Sequence, residues 1–124
     1  MAGNNAFTQR LMLPDDANVA GNVHGGTILK MIEQAGYIAA MRYIHAEVER
    51  EDGEDSFVVS GSIDCTFLQP MHIGDVSRCE AKVVYAINSA VEVQVTVTRE
   101  DLRGKRCLCC CFIIFAPARS YQFC

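Results

Sequence analysis

The sequence has no tryptophan, three prolines and only three histidines in 124 residues. With histidine this scarce, a metal site would have to come from the run Cys107, Cys109, Cys110 and Cys111. That run lacks the C-x2-C knuckle and the matching second pair that zinc sites use. Along a strand, Cys107, Cys109 and Cys111 would point one way and Cys110 the other. Small buried hydrophobes suit that pattern better, and no metal is expected. No GxSxG elbow, Walker loop or dinucleotide fingerprint occurs, so covalent serine hydrolysis and P-loop chemistry lack support.

Basic charge is also in short supply. Eleven Lys and Arg against fifteen Asp and Glu give a net charge of −4, which argues against a nucleic-acid backbone as main partner. A local basic patch for a phosphorylated small molecule is still open, with Arg78, Lys82, Arg99, Arg103 and Lys105 as the available cations. Long apolar runs are missing too: the longest, Cys107 to Ala116, is too short to cross a bilayer as a helix. The start, MAGNNAFTQR, has no charged segment followed by an apolar one, and SYQFC is neither a peroxisomal tripeptide nor a prenylation box. Seven cysteines without an export signal are expected as reduced thiols. These absences predict a soluble, cytoplasmic chain with no membrane partner.

What is present is a globular balance, 50% hydrophobic and 21% charged, in a length that suits one domain over residues 1–124. Phe7 to Leu13 reads as a first strand, ended by Pro14. Pro14 to His24 has the Asp, Asn and Gly density of a loop. Gly25 to His45 carries apolar residues on more than one helical face, which predicts a buried helix. An acidic connector spans Ala46 to Ser56. The period then switches to two, with strands at Phe57 to Phe67, around Cys79, Ala81, Val83 and Tyr85, at Val91 to Thr98, and at Cys107 to Phe115. Turns are expected at Met71 to Asp75, at Asn88-Ser89 and at Asp101 to Arg106. Short turns imply antiparallel neighbours. The class is therefore α+β, a curved antiparallel sheet of five or six strands around one long helix. The last strand, apolar on both faces, predicts cover by a second subunit.

Chemistry concentrates between Pro14 and Glu33. Gly25 and Gly26 open the helix, where the first amides have no intrahelical acceptor and the helix dipole favours an incoming oxygen. Such a start can polarise a carbonyl and hold an oxyanion, although a glycine pair can equally just end a loop. Glu33 lies seven residues beyond Gly26, roughly 10 Å along the axis. At the border of the core it would act as a general base or nucleophile, with a carboxyl pKa raised by desolvation. On an exposed stripe it would only pair with Lys30. Asn18 would orient water or a carbonyl, or cap its own turn; Asn22 has the same ambiguity. His24, beside the helix start, suits a ligand contact or a cap.

The stretch PDDANVAGNVHGGTILKMIEQAG, continued more loosely by FLQPMHIGDV and SAVEVQVTVTRE, resembles the hotdog-fold acyl-CoA thioesterases. Within them it is most similar to the animal cytosolic enzymes that carry two hotdog domains in tandem. The resemblance implies paired hotdogs with an active site at their interface, in a homo-oligomer: a dimer, tetramer or hexamer. Asn18 would come from one hotdog and Glu33 from the facing helix of the other. His24, Gly25 and Gly26 would bind substrate and hold the carbonyl oxygen. The acid would activate water or attack the thioester, releasing coenzyme A and a free acid, with no cofactor beyond the substrate's own coenzyme A.

Single-domain relatives usually have aspartate at the acid position, and tandem members tend to have glutamate in the first domain and aspartate in the second. This chain is then expected to be the first half of such a pair. It would be either a self-sufficient hydrolase or a catalytically silent domain that binds acyl-CoA, completes an oligomer and relies on a second domain's acid. A hotdog hydratase is the weaker alternative, for want of a suitably spaced aspartate–histidine pair.

Overall fold

The computed structural model describes residues 5–47, 58–87, 90–101 and 104–117. The elements are β1 (Ala6–Leu11), a single 3-10 turn (Pro14–Asp16), α1 (Gly25–Glu47), β2 (Val58–Phe67), β3 (Val76–Ile87), β4 (Ala90–Asp101) and β5 (Gly104–Pro117). The strands form one antiparallel sheet in the order β1-β3-β4-β5-β2, and α1 contacts all five of them. The predicted α+β architecture and strand sequence hold. The acidic connector and the turn Asn88-Ser89 fall largely outside the described residues, as does Arg103.

Alternation sets the core. Val91, Val93, Val95 and Val97 of β4 are buried, and the intervening Glu92, Gln94 and Thr96 are half-buried on the other face. Cys111, Ile113 and Phe115 of β5 continue the inner face, while Phe112 and Ile114 stand outside, 40% and 41% exposed. The expected doubly apolar final strand therefore has one face in the core and one apolar face open on a single chain.

The helix departs from its prediction. Ile28, Met31, Ile32, Ala35, Ala39, Ala40 and Ile44 are buried at three- and four-residue spacing, whereas Lys30, Glu33, Gln34, Tyr37 and Arg42 are exposed. It is a one-sided helix lying on a sheet, not one buried all round. Alanine and glycine at its waist allow a close approach. A Cβ on Gly36 would lie 3.0 Å from Ile113 Cδ1 and 3.2 Å from Phe115 Cε2.

Three strand-level expectations change as well. Tyr85, expected on the inner face of β3, is 59% exposed, because the register shifts between Val83 and Tyr85 and the bulge turns it outward. The polar turn after β4 is tighter than Asp101 to Arg106: Lys105 and Arg106 already pair with Glu100 and Arg99. The cysteines are not all free thiols. Cys65 and Cys111 occupy directly opposite positions on β2 and β5, Cα atoms 4.2 Å apart, and are joined as a disulfide. Directly opposite cross-strand residues bring their Cβ atoms close, which is how a sequence separation of 46 is bridged.

Cys79 is fully enclosed by β3, and burial pushes its thiol up to about 11, partly opposed by a hydrogen bond from Thr8. A thiol harder to ionise folded than unfolded holds its stabilising contribution below about pH 9 and loses it as pH rises toward 11. Unfolding free energy should therefore fall more steeply across that window in the wild type than in Cys79→Ala. A difference of about 2 kcal/mol in the drop is expected. Parallel denaturant titrations of the two at pH 8.5 and 11 would detect it; equal slopes would refute it.

Candidate active site

The site is built from the loop before α1 and the turn between β2 and β3. Asp16, 6% exposed, fixes the loop: its carboxylate accepts from Arg10 Nη2 at 2.7 Å and from the Leu13 amide at 2.9 Å. Its carbonyl oxygen accepts from the His24 amide at 2.9 Å. Asp75, 7% exposed, does the same for the turn, accepting from the His72 amide at 2.9 Å and from Arg99 Nη1 at 3.5 Å. The two are sewn together by Val23 N–H donating to the Met71 carbonyl and by the bridge between Asn22 and His72. Gly74, with φ of +92°, supplies the backbone conformation that closes the turn.

Removing the Asp16 carboxylate leaves the Leu13 amide and the Arg10 guanidinium without it. Asp16→Ala should cost about 1–3 kcal/mol of stability, and Asp16→Asn, which retains an acceptor for Leu13, distinctly less. Denaturant titration measures both; an alanine variant within about 0.5 kcal/mol of wild type would show that the loop does not depend on this anchor.

Between loop and turn lies an open cleft of about 390 Å³, lined by Asn22, Val23, Gly25, Ile28 and the segment Phe67, Leu68, Gln69, Pro70 and Met71. At its floor the helix begins. Thr27 and Ile28 N–H both donate to the His24 carbonyl oxygen, at 3.1 and 3.2 Å. The amides of Gly25 and Gly26 find no acceptor among the described residues, and both glycines have open space where a Cβ would stand. Gly25 lines the cleft, so its helix-start amide is a candidate donor to an incoming oxygen. His24 itself is exposed, and its contacts here are those of a backbone cap.

Asn18 is exposed and capped into its own loop. Its Oδ1 accepts from the Ala20 and Asn22 amides at 2.9 and 3.1 Å, and Gly21 N–H, in a left-handed conformation at φ +88°, donates to its carbonyl. The side-chain oxygen is thus committed to the turn, and the Nδ2 protons are the part free to meet a substrate. Glu33 is exposed rather than bordering the core. Its Oε2 accepts from Ser60 Oγ on β2 at 3.1 Å. Asn18 and Glu33 share no contact within the chain.

Ser60, Asp16 and Asp75 were not legible as site residues. Ser60 is 27 positions from the acid it touches, with no local motif to mark it. Of the candidate cations, Arg99 is engaged by buried Asp75, and Arg78 pairs with Glu80 at 2.9 Å and lies over the Phe7 ring. Lys82 is exposed. Among the described residues no three His, Cys, Asp or Glu side chains are grouped to hold a metal ion, and no helix is long and apolar enough to cross a membrane.

Comparison with known proteins adds context to this geometry. The family model described as Thioesterase superfamily matches residues 20–105. The human cytosolic acyl coenzyme A thioester hydrolase is 48% identical over 97 residues, which is 77% of this chain and 24% of that protein. The chain thus spans about a quarter of the length of that relative. Among solved structures, an acyl-CoA hydrolase from Staphylococcus aureus, in complex with butyryl coenzyme A and coenzyme A, superposes with a TM-score of 0.82 at 26% identity, covering 94% of this chain and 67% of that one. It has also been solved with alanine replacing an asparagine and an aspartate fifteen positions apart, the separation of Asn18 and Glu33, and replacing a threonine. An apo-hexameric acyl-CoA thioesterase superposes equally well, TM-score 0.82 at 25% identity, covering 94% of this chain and 70% of that one.

Proposed function

The chain belongs to the thioesterase superfamily, and from that premise we propose that it forms part of an acyl-CoA thioester hydrolase whose active site is completed by a facing hotdog domain. The observation that carries this reading is the pairing of two unfinished halves: amides at Gly25 and Gly26 without an acceptor among the described residues, beside a cleft that Gly25 lines, and a Glu33 carboxylate held by Ser60 but exposed and not hydrogen-bonded to Asn18. A second copy, or a second domain, laid against the exposed side of α1 would bring its asparagine loop to Glu33 and exclude water. Phe112 and Ile114 on the outer face of β5 offer further apolar surface for larger assemblies, in keeping with the hexamer named for a neighbour.

In the assembled site the thioester carbonyl oxygen sits on the Gly25 and Gly26 amides of one domain, and Glu33 of the facing domain takes a proton from water as the water oxygen attacks the carbonyl carbon. The tetrahedral intermediate, its oxyanion held by those amides, collapses by expelling the coenzyme A thiolate, which is then protonated. Ser60 fixes the carboxylate rotamer of Glu33, and Asn18 Nδ2, on the same domain as the two glycines, holds the water or carbonyl. No metal is needed by this scheme. The cytosolic name of the human relative supports the same location here.

A second reading rests on one residue type. Glutamate stands where the family usually has aspartate, so this domain would lend Asn18 to an acid on a further domain and bind acyl-CoA without turning it over. Thiol release from a fatty acyl-CoA by the 124-residue chain separates the two. Turnover that depends on protein concentration supports the hydrolase; binding without turnover supports the silent half, and neither binding nor turnover overturns both.

A further inference from the structure

We propose that Cys65 is the entry sulfur of a reversible dithiol–disulfide couple with Cys111, open to small thiols and their disulfides. The couple does not rest on the hydrolase reading. Cys65 and Cys111 are directly paired across β2 and β5 and joined as a disulfide. Their surroundings are unequal. Cys111 has no exposed surface, whereas Cys65 is half-buried on β2, an edge strand held on one side only. Its inner-face neighbours Ile63 and Phe67 are 38% and 45% exposed, and Phe67 lines the open cleft at the helix start. Of the two sulfurs, only that of Cys65 belongs to a residue with surface open to a small thiol.

The two cysteines outside the pair whose side chains are described are poor alternatives. Cys79 is fully buried, and Cys110 faces Thr66 and Thr96, so no thiol stands opposite it. In the reductive direction a small thiolate attacks Cys65 Sγ. The Cys65–Cys111 bond breaks, and Cys111 leaves as a thiolate that takes up a proton. A second thiolate attacks the new mixed disulfide, releasing Cys65 and carrying away the oxidised small thiol. Two small thiols are oxidised and one protein disulfide is reduced; the reverse course regenerates the couple from a small disulfide. Glutathione and coenzyme A share this chemistry. Closed, the bond clamps the edge strand that carries Ser60.

The intact 124-residue chain would be treated with glutathione disulfide or with coenzyme A disulfide, alkylated, and mapped by mass spectrometry without reduction. A linked Cys65–Cys111 peptide is expected, and reduction should lower the melting temperature by on the order of 10 °C. In a Cys110→Ser background, Cys111→Ser should take a mixed disulfide at Cys65 from either reagent, and Cys65→Ser should leave Cys111 unmodified in the native chain. Modification by one reagent alone would identify the source of the thiol. If the wild type were alkylated at both Cys65 and Cys111 after oxidation, or if the reduced wild type reacted equally at the two, the proposal would fall. Those wild-type readouts hold even where a serine variant does not fold.

Discussion

Glu33→Gln should lower kcat for acyl-CoA hydrolysis by about a hundredfold to ten-thousandfold, with KM changed little. Glutamine keeps the volume and can still accept from Ser60 Oγ, so the loss isolates proton abstraction from water, a contribution of that size for a positioned base. Ser60→Ala should give a smaller loss, about tenfold, since the carboxylate stays but its rotamer is released; misplacement near 1 Å is already costly. Asn18→Ala must be judged against its second task. The Ala20 and Asn22 amides lose their acceptor, so the loop weakens as well as the site. Asn18→Asp separates these roles, because it keeps the acceptor and removes the Nδ2 donors. An aspartate variant with a stable fold and near-zero turnover would place the function in those donors. If Glu33→Gln retained full activity, Glu33 would not be the working acid.

The largest stability effect is expected at Gly36, where α1 crosses β5. A methyl there would press on Ile113 Cδ1 at 3.0 Å and on the Phe115 ring at 3.2 Å. Gly36→Ala sets that pressure against the gain of about 1 kcal/mol that alanine brings to a helix interior. Its net change should be small, within about 1 kcal/mol. Gly36→Leu has no such offset: the added branch must lift the helix off Ile113 and Phe115, at a cost of about 3 kcal/mol. Because α1 also carries Glu33 and the open helix start, the leucine variant should lose activity along with stability. Denaturant midpoints decide it. A leucine variant as stable as wild type would mean that helix and sheet are not packed at Gly36 as described.

The sequence carried the fold where local chemistry and tertiary context agree. Valine alternating with polar residues from Val91 to Thr98 specifies a strand with one buried face, and no neighbour overrides it. The loop–glycine–helix stretch from Pro14 was equally plain, because turn residues and a helix start each have their own signature. Sequence failed where one residue changes the outcome. The bulge between Val83 and Tyr85 breaks a pattern that alternation alone continues, so Tyr85 ends up outside. In α1 the number of apolar residues suggests burial all round, but their angular order leaves Lys30, Glu33, Gln34 and Tyr37 on one exposed side. The pairs Ser60–Glu33 and Cys65–Cys111 join residues 27 and 46 positions apart, and only the strand order brings them together. The site was half legible for the same reason. Asn18, Gly25, Gly26 and Glu33 announce themselves by motif, but the division between two domains that we propose for them would be a property of an interface.

That division is tested most directly by mixing inactive variants. Glu33→Gln and Asn18→Asp are purified separately, combined at equal concentration, allowed to exchange subunits, and assayed for thiol release from a fatty acyl-CoA. In a mixed pair, one site receives Asn18 from the first chain and Glu33 from the second, both intact, while the other site lacks both. Random exchange in a symmetric dimer makes half of the pairs mixed, so about a quarter of wild-type activity should return. Activity that stays at the level of the separate variants, with subunit exchange verified, would contradict an active site shared between two hotdog domains.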